Sequence, residues 1–561
     1  SNSDTETLVE SIDALGLEKT LENIDGMFSF ALWDKKYKTL HLARDSFGEK
    51  PLYFGWVDSN FIFSSELSVI SSISNNSLEI SKKSLDSLFR FSYVPSPSTI
   101  YKNIYKLEPG YYLKINKNNK KYNLNINKNS QIFEKNLIIK KWFNLKNIYQ
   151  NKNLDKINNY DSAKKELKKR LFNSVESRMI SDVEIGSLLS GGIDSSLVTA
   201  IMSKISNKKI KSFNMAFNSS DYDESFTANE IANHLSTDHH TLNITENQLI
   251  ETSSYLSDIY SEPFADSSQI PTYLLTKNVS KYMKVVLSGD GGDELFGGYN
   301  RYIWSTNIWS KIKLLPLRKR KFIAKIMLKT PDVFLKSFKF IVNNMLNKNI
   351  DNFSDKYFKL ANKISWVKNK DDFFRSLVTE LSPNETLIKD FIYEDELFNN
   401  LDIPDYLNDN FEEKMMYIDI LTYLCDDILC KVDRASMSNS LEVRVPFLSK
   451  DLLDLSLSIP TSMKISHNIN KKILRDVAYE LIPSEILNKP KKGFGVPLKN
   501  WLKDGPLHLW AENLINYKLD KVDHLISSNK INKMWSEHLS NKRDWHNNLW
   551  PVLIFLSWYK I

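Results

Sequence analysis

Leu188-Leu189-Ser190-Gly191-Gly192-Ile193-Asp194-Ser195-Ser196 decides the fold of this chain. It closes a short, mostly apolar run, Val183 to Leu189, and opens a helix-like segment, Leu197 to Ile205. The reading is strand, glycine-rich turn, helix. Adjacent glycines let backbone N–H groups close on an anion, and a helix N-terminus adds the positive end of its dipole. Ser190, Ser195 and Ser196 supply hydroxyl donors. No Gly-Lys-Ser/Thr follows, so this is not a Walker A loop. An Asp in such a turn makes chemical sense if a divalent metal bridges it to phosphate. The structural alternative for Asp194 is a helix N-cap, a position Asp favours.

A second loop repeats the pattern. Lys284-Val285-Val286-Leu287 reads as a buried strand running into Ser288-Gly289-Asp290-Gly291-Gly292-Asp293-Glu294-Leu295-Phe296-Gly297-Gly298-Tyr299. Five glycines and three acids in twelve residues do not suit a core, and their order does not fit an EF-hand. Two glycine-rich, acidic loops at strand ends are what a parallel sheet presents at its ligand-binding carboxyl edge. The flanking pattern agrees. Strands are expected at Ile185 to Leu189, Ser212 to Phe217, Thr241 to Ile244 and Val285 to Leu287, with helices between them. That alternation implies a parallel sheet covered by helices. Ahead of it, Leu167, Leu171, Val175 and Met179 fall on one helical face.

Residues 1 to about 145 read as β-rich. Met27 to Trp33, Thr39 to Ala43, Leu52 to Val57, Phe61 to Ser64 and Tyr111 to Ile115 are short strands between Asp, Gly and Asn turns. Asn116 to Lys128, rich in Asn and Lys, reads as a solvated hairpin or insert, and Asn144 to Asn159 as a similar boundary. Trp304 to Asn400 reads as helical, Lys-rich and without motifs. A chain of 561 residues implies two or more domains. Its 75 basic and 68 acidic residues leave a net charge of +7. The basic runs Lys164 to Arg170 and Arg318 to Lys321 lack interleaved stacking aromatics. They read as solvated helix faces, and no nucleic-acid partner is expected. Cys425 and Cys430 match no metal or redox spacing and are expected as buried free thiols, in keeping with a reducing cytoplasm. No apolar run is long enough for a membrane span.

Six ordered stretches resemble the glutamine-dependent asparagine synthetase family. They are Gly26 to Asp34, Ala43 to Tyr53, Ser190 to Ser195, Ser288 to Tyr299, Lys431 to Leu448, and Lys489-Pro490-Lys491-Lys492-Gly493-Phe494-Gly495-Val496-Pro497. The resemblance implies an α/β chain. Residues 1–145 would form part of an Ntn-type glutaminase β-sandwich. Residues 160–561 would form an ATP-pyrophosphatase-like parallel-sheet synthetase domain with a helical C-terminal region. The reaction implied is adenylation of a carboxylate by ATP, release of pyrophosphate, and attack by ammonia.

Residue by residue, the resemblance places Leu188, Met215, Ser288 and Gly289 around adenine; for Leu188 and Met215 ordinary strand core is the alternative. It places Ser190, Gly191, Gly192, Ser195 and Ser196 on pyrophosphate, and Asp194 and Asp293 on Mg²⁺. Lys491 matches the family's lysine that stabilises the acyl phosphate. Asp290 matches a candidate base where dedicated asparagine synthetases usually carry Glu. That shorter side chain leaves aspartate and another carboxylate, such as a sugar acid of surface-polysaccharide synthesis, both open as acceptor. Arg434, Glu442 and Arg444 are either substrate-pocket charges or a buried ion network. Asp4 matches a ligand for the amino group of glutamine. The family's N-terminal Cys nucleophile has no counterpart in this stretch, so ammonia is the expected nitrogen source for a chain starting at Ser1, with Ser1 as nucleophile the lesser alternative. A homodimer is what the family suggests. A nucleotide-binding scaffold without turnover is the reading from another class.

Overall fold

Alternation along Thr39–Arg44 shows how the first layers form. Leu42 faces a core with Phe54 and Leu113, while its neighbour Ala43 faces the other way, toward Leu21 and Tyr112. Successive strand side chains point to opposite faces, so one strand serves two layers. The computed structural model describes residues 3–74, 78–116, 124–152, 155–216, 225–330, 334–335, 339, 353–488 and 496–559. In the N-terminal part, β1 (Ser29–Asp34), β2 (Thr39–Arg44), β6 (Tyr111–Asn116), β8 (Leu137–Lys141) and β7 (Ile132–Glu134) form one antiparallel sheet in the order β1-β2-β6-β8-β7. A second antiparallel sheet has the order β4-β3-β5, from β3 (Tyr53–Val57), β4 (Asn60–Ser64) and β5 (Ile104–Lys106). Phe54 and Trp56 of β3 pack on Leu42, Leu113 and Leu137 of the larger sheet.

Three expectations for this half change. It also holds helices, including Leu67–Ile73 and Lys82–Phe91. Ser81 caps the second, accepting from Ser84 N at 3.2 Å, and Leu85, Leu88 and Phe89 form its buried stripe. The expected solvated insert is tied down at its end: Ile126 is buried, and buried Lys128 pairs with Glu108 at 3.2 Å; residues 117–123 lie outside the described residues. The expected solvated boundary holds a helix, Leu145–Lys152, whose Tyr149 packs edge-on against Tyr417 with ring centroids 4.7 Å apart.

The second half is built on a parallel sheet of β9 (Ile185–Leu188), β10 (Lys211–Ala216), β11 (Asp238–Asn243), β12 (Val285–Leu287) and β13 (Glu442–Arg444). Its order is β11-β10-β9-β12-β13. The chain winds outward from β9 to β11, returns to β12 on the other side of β9, and adds β13 last. The direction reverses between β9 and β12, and that is where a ligand crevice opens in such sheets. The four expected strands are all present, the second without Phe217, which lies outside the described residues. β13 was not expected. The helix Tyr160–Arg178 buries Leu167, Leu171 and Val175 completely, as its spacing predicted. Farther on, a π-helix, Ile420–Ile428, runs into the helix Leu429–Met437. Cys425 is a buried free thiol and Cys430 a half-buried one. The helix His546–Trp558 is apolar nearly all round and accordingly buried. Its Phe555 meets Phe89 edge-on across the two halves, centroids 6.1 Å apart. Among the described residues no helix is long and apolar enough to cross a membrane.

Candidate active site

The loops after β9 and β12 interlock at the switch point. A Cβ on Gly289 would stand 2.5 Å from Ser195 N and 2.8 Å from Asp194 C, and one on Gly292 would stand 2.6 Å from Asp194 Oδ1. At Gly289 only glycine lets the two backbones approach so closely, and at Gly292 it makes room for the Asp194 carboxylate. Gly191 and Gly291 turn the two loops with φ of +83° and +82°. Between the loops lies a cleft of about 410 Å³, a size suited to a small-molecule ligand.

One end of the cleft is apolar. Leu188, Phe213 and Met215 line it, with Asn214 and Ser288 beside them. Asn214 Oδ1 and Ser288 Oγ are buried without a hydrogen-bond partner among the described residues. Buried polar atoms are normally paired, so these two are placed for the polar edge of a ligand that slides between apolar walls. The middle of the cleft is the turn after β9. Ser190 Oγ and Ser195 Oγ are 2.9 Å apart, and Gly192 N donates to Ser190 Oγ at 3.3 Å. The helix Ile193–Ile205 starts here, with Asp194 in its first turn. Gly191 and Ser196 do not line the cleft. Gly191 packs against Thr227 and Ala228, and Ser196 is fully buried.

Across the turn stands Lys471, which the sequence reading missed. Its ammonium pairs with Asp194 and, at 2.6 Å, with Asp293 Oδ1. Burial works against its charge, but the two carboxylates prevail and hold its pKa above the usual lysine value. Nothing local marks it, because lysine is abundant in this chain. Its role depends on three distant segments meeting. Among the described residues no group of three or more His, Cys, Asp or Glu could hold a metal. Asp194 and Asp293 still fit Mg²⁺: they are hard oxygen donors converging on one cation, and Mg²⁺ takes most of its other ligands from phosphate and water.

The far wall is acidic. Asp266 pairs with Lys431 at 2.7 Å, and Lys431 also donates to Ser268 Oγ at 2.9 Å. Burial pushes Asp266 upward, but Lys431 outweighs it and holds the carboxyl at about 2. Asp427, on the π-helix, is buried beside Asp266, and burial with that neighbouring charge pushes its pKa well up. Glu294 is pushed up to about 8 by burial and by Asp293, and it accepts from Tyr299 Oη at 2.6 Å. Asp290 lines the same cleft. Tyr423 and Ile428 reach it from the π-helix, a helix type that recurs at functional sites.

The remaining expected residues lie elsewhere. Arg434 pairs with Glu66 of the N-terminal part and with Asp433 at 3.6 Å. Arg444 bonds Glu442 at 2.6 Å and the carbonyls of Arg178 and Ile180. None of the three is among the residues that line the cleft; Arg434 is buried, while the Glu442 side chain is 37% exposed. Asp4 begins an exposed helix, Asp4–Leu15. Lys491 and Ser1 lie outside the described residues.

Comparison with known proteins bears on the whole chain. The profile of the asparagine synthase family matches residues 166–560, and that of a glutamine amidotransferase domain matches residues 1–125. Asparagine synthetase (glutamine-hydrolyzing) 1 of Bacillus subtilis (strain 168) is 30% identical over all of this chain, which covers 81% of that protein. Putative asparagine synthetase (glutamine-hydrolyzing) 2 of Methanocaldococcus jannaschii is 31% identical over 80% of this chain and 79% of its own. Amidase chry2 of Gibberella zeae is 25% identical over 92% of this chain and 75% of its own. With an N-terminal amidotransferase-type part and a synthetase sheet whose switch point carries two interlocked acidic loops, the chain belongs to the asparagine synthase family.

Proposed function

We propose that this chain amidates aspartate. ATP would activate the side-chain carboxylate as an acyl-adenylate, pyrophosphate would leave, and ammonia would displace AMP. The observation that carries the reading is the convergence of Asp194, Asp293 and Lys471 on the turn after β9. Leu188 and Met215 hold the adenine faces, while Asn214 and Ser288 meet its polar edge. Ser190, Gly192 and Ser195 donate to the departing pyrophosphate, with the helix dipole behind them. Asp194 and Asp293 would hold Mg²⁺, which supplies charge neutralisation for the transferring group. Lys471 turns from the carboxylates toward the phosphates as they arrive, and Lys491 stabilises charge on the acyl phosphate. Asp290 accepts a proton from the attacking nitrogen.

The acidic far wall supports an amino acid as acceptor. Asp266 and Asp290 line this wall of the cleft, and the lysine that lines it among the described residues, Lys431, is already paired with Asp266. An α-ammonium group answers that charge, and a sugar acid brings none. A second reading, another carboxylate, is favoured by Asp290, one methylene shorter than Glu. A displacement of about 1 Å costs on the order of 100-fold where geometry is strict. Some relatives are also named amidases. Pyrophosphate release with ammonium salt supplied, measured with aspartate, succinate and a uronic acid, decides between them. Aspartate-dependent release that succinate does not match is the expected result. Release with the uronic acid and none with aspartate would sink the aspartate reading.

A further inference from the structure

Residues 295–330 contain nine basic side chains and no acidic one. In this stretch lie the helices Asn300–Ile312 and Leu317–Leu328. The second turns Arg320 and Ala324 inward, where Arg320 donates to Leu315 O at 2.9 Å and Val367 O at 2.7 Å. Phe322 is two residues from each, so it leaves the opposite side of the helix. It is 66% exposed, and Ile326, one turn on, is 54% exposed. Leu314 and Leu315 stand out at the turn between the helices, and Trp304 on the first. Arg318, Lys319, Lys321, Lys325 and Lys329 surround these apolar side chains and are exposed too. Phe322 and Ile326, four residues apart, share one stripe of the helix, and exposed apolar surface of this kind marks an interaction site.

We propose that this face docks on an anionic lipid surface. A helix with aromatic and aliphatic side chains on its outer face, ringed by lysine and arginine, is built to lie at a bilayer interface. The cations answer negative headgroups, and Phe322, Ile326 and Leu314 enter the region beneath them. Other occupants fit less well. A second copy would bring the same positive face against this one. Nucleic acid has use for the cations but none for exposed leucine and isoleucine. No residue of the face belongs to the cleft, so the inference stands apart from the choice of acceptor.

The full chain is sedimented with phosphatidylcholine vesicles, with and without about 30% phosphatidylserine. Binding to the anionic vesicles alone is expected, falling about tenfold as salt rises from about 0.1 to 0.5 M. The double substitution F322S/I326S should weaken it about tenfold while pyrophosphate–ATP exchange stays unchanged. Three results would overturn the proposal. One is no binding to anionic vesicles at low salt. Another is binding that F322S/I326S leaves intact. The third is a different occupant: a dimer dispersed by F322S/I326S, or tighter retention on RNA or polyglutamate than on vesicles.

Discussion

Glu294 keeps its proton in the folded chain up to about pH 8, against 4.5 for an ordinary Glu. Its contribution to stability is therefore fully present below about pH 4.5 and is lost as pH rises through about 8. Glu294→Gln stays neutral throughout. Measured as melting temperature against pH, the variant should gain on the parent between pH 5 and 8, by on the order of 2–4 kcal/mol at the upper end. Equal slopes for the two proteins would show that Glu294 ionises normally. Asp194 invites a different test. Gly192, not Asp194, stands at the helix N-cap, and Lys471 keeps Asp293 as a partner, so Asp194→Asn, which preserves the shape of the side chain, should still fold. With half of the carboxylate pair gone, pyrophosphate–ATP exchange should drop by on the order of 100-fold. Near-normal exchange would remove Asp194 from the phosphate end of the cleft.

The interlocked loops act as one element. At Gly289 the atoms that a Cβ would strike are backbone on the neighbouring loop, so no side chain can swing aside to make room. Gly289→Ala should cost about 1–3 kcal/mol in urea unfolding and abolish binding of a fluorescent ATP analogue. Unchanged binding would mean the loops separate more easily than their spacing indicates. Both loops could be read from the sequence because everything that makes them is local: glycines for the approach, acids and hydroxyls for the chemistry. The helix Lys82–Phe91 was equally legible in Ser81 and the Leu85, Leu88, Phe89 spacing, but the strands around it dominated the reading. β13 was not legible, since three residues carry too little periodicity to mark a strand. Lys471 and the Asp266–Lys431 pair were hidden for another reason: each is defined by partners far away in the chain.

Across the whole molecule, buried ion pairs join the two halves. Lys106 of β5 meets Glu262 at 2.6 Å and donates to Val94 O, with both side chains almost wholly buried. Lys50 meets Asp433 at 2.8 Å. Lys106→Met should cost about 3–5 kcal/mol because it strands the Glu262 carboxylate inside, and Lys106→Met with Glu262→Gln should recover part of that loss. Chemical denaturation followed by tryptophan fluorescence reads both. The order of the parallel sheet has a consequence for how the chain is made. β12 ends at Leu287, but its outer neighbour β13 begins only at Glu442. During synthesis the strand that carries the second acidic loop is therefore an open edge until most of the chain has left the ribosome. Pairing across so long a loop is slow, and an open apolar edge in the meantime invites the wrong partner. A ribosome stalled before Glu442 should display a chain that chaperones grip and proteases cut near Val285, and one stalled well beyond Leu448 should not.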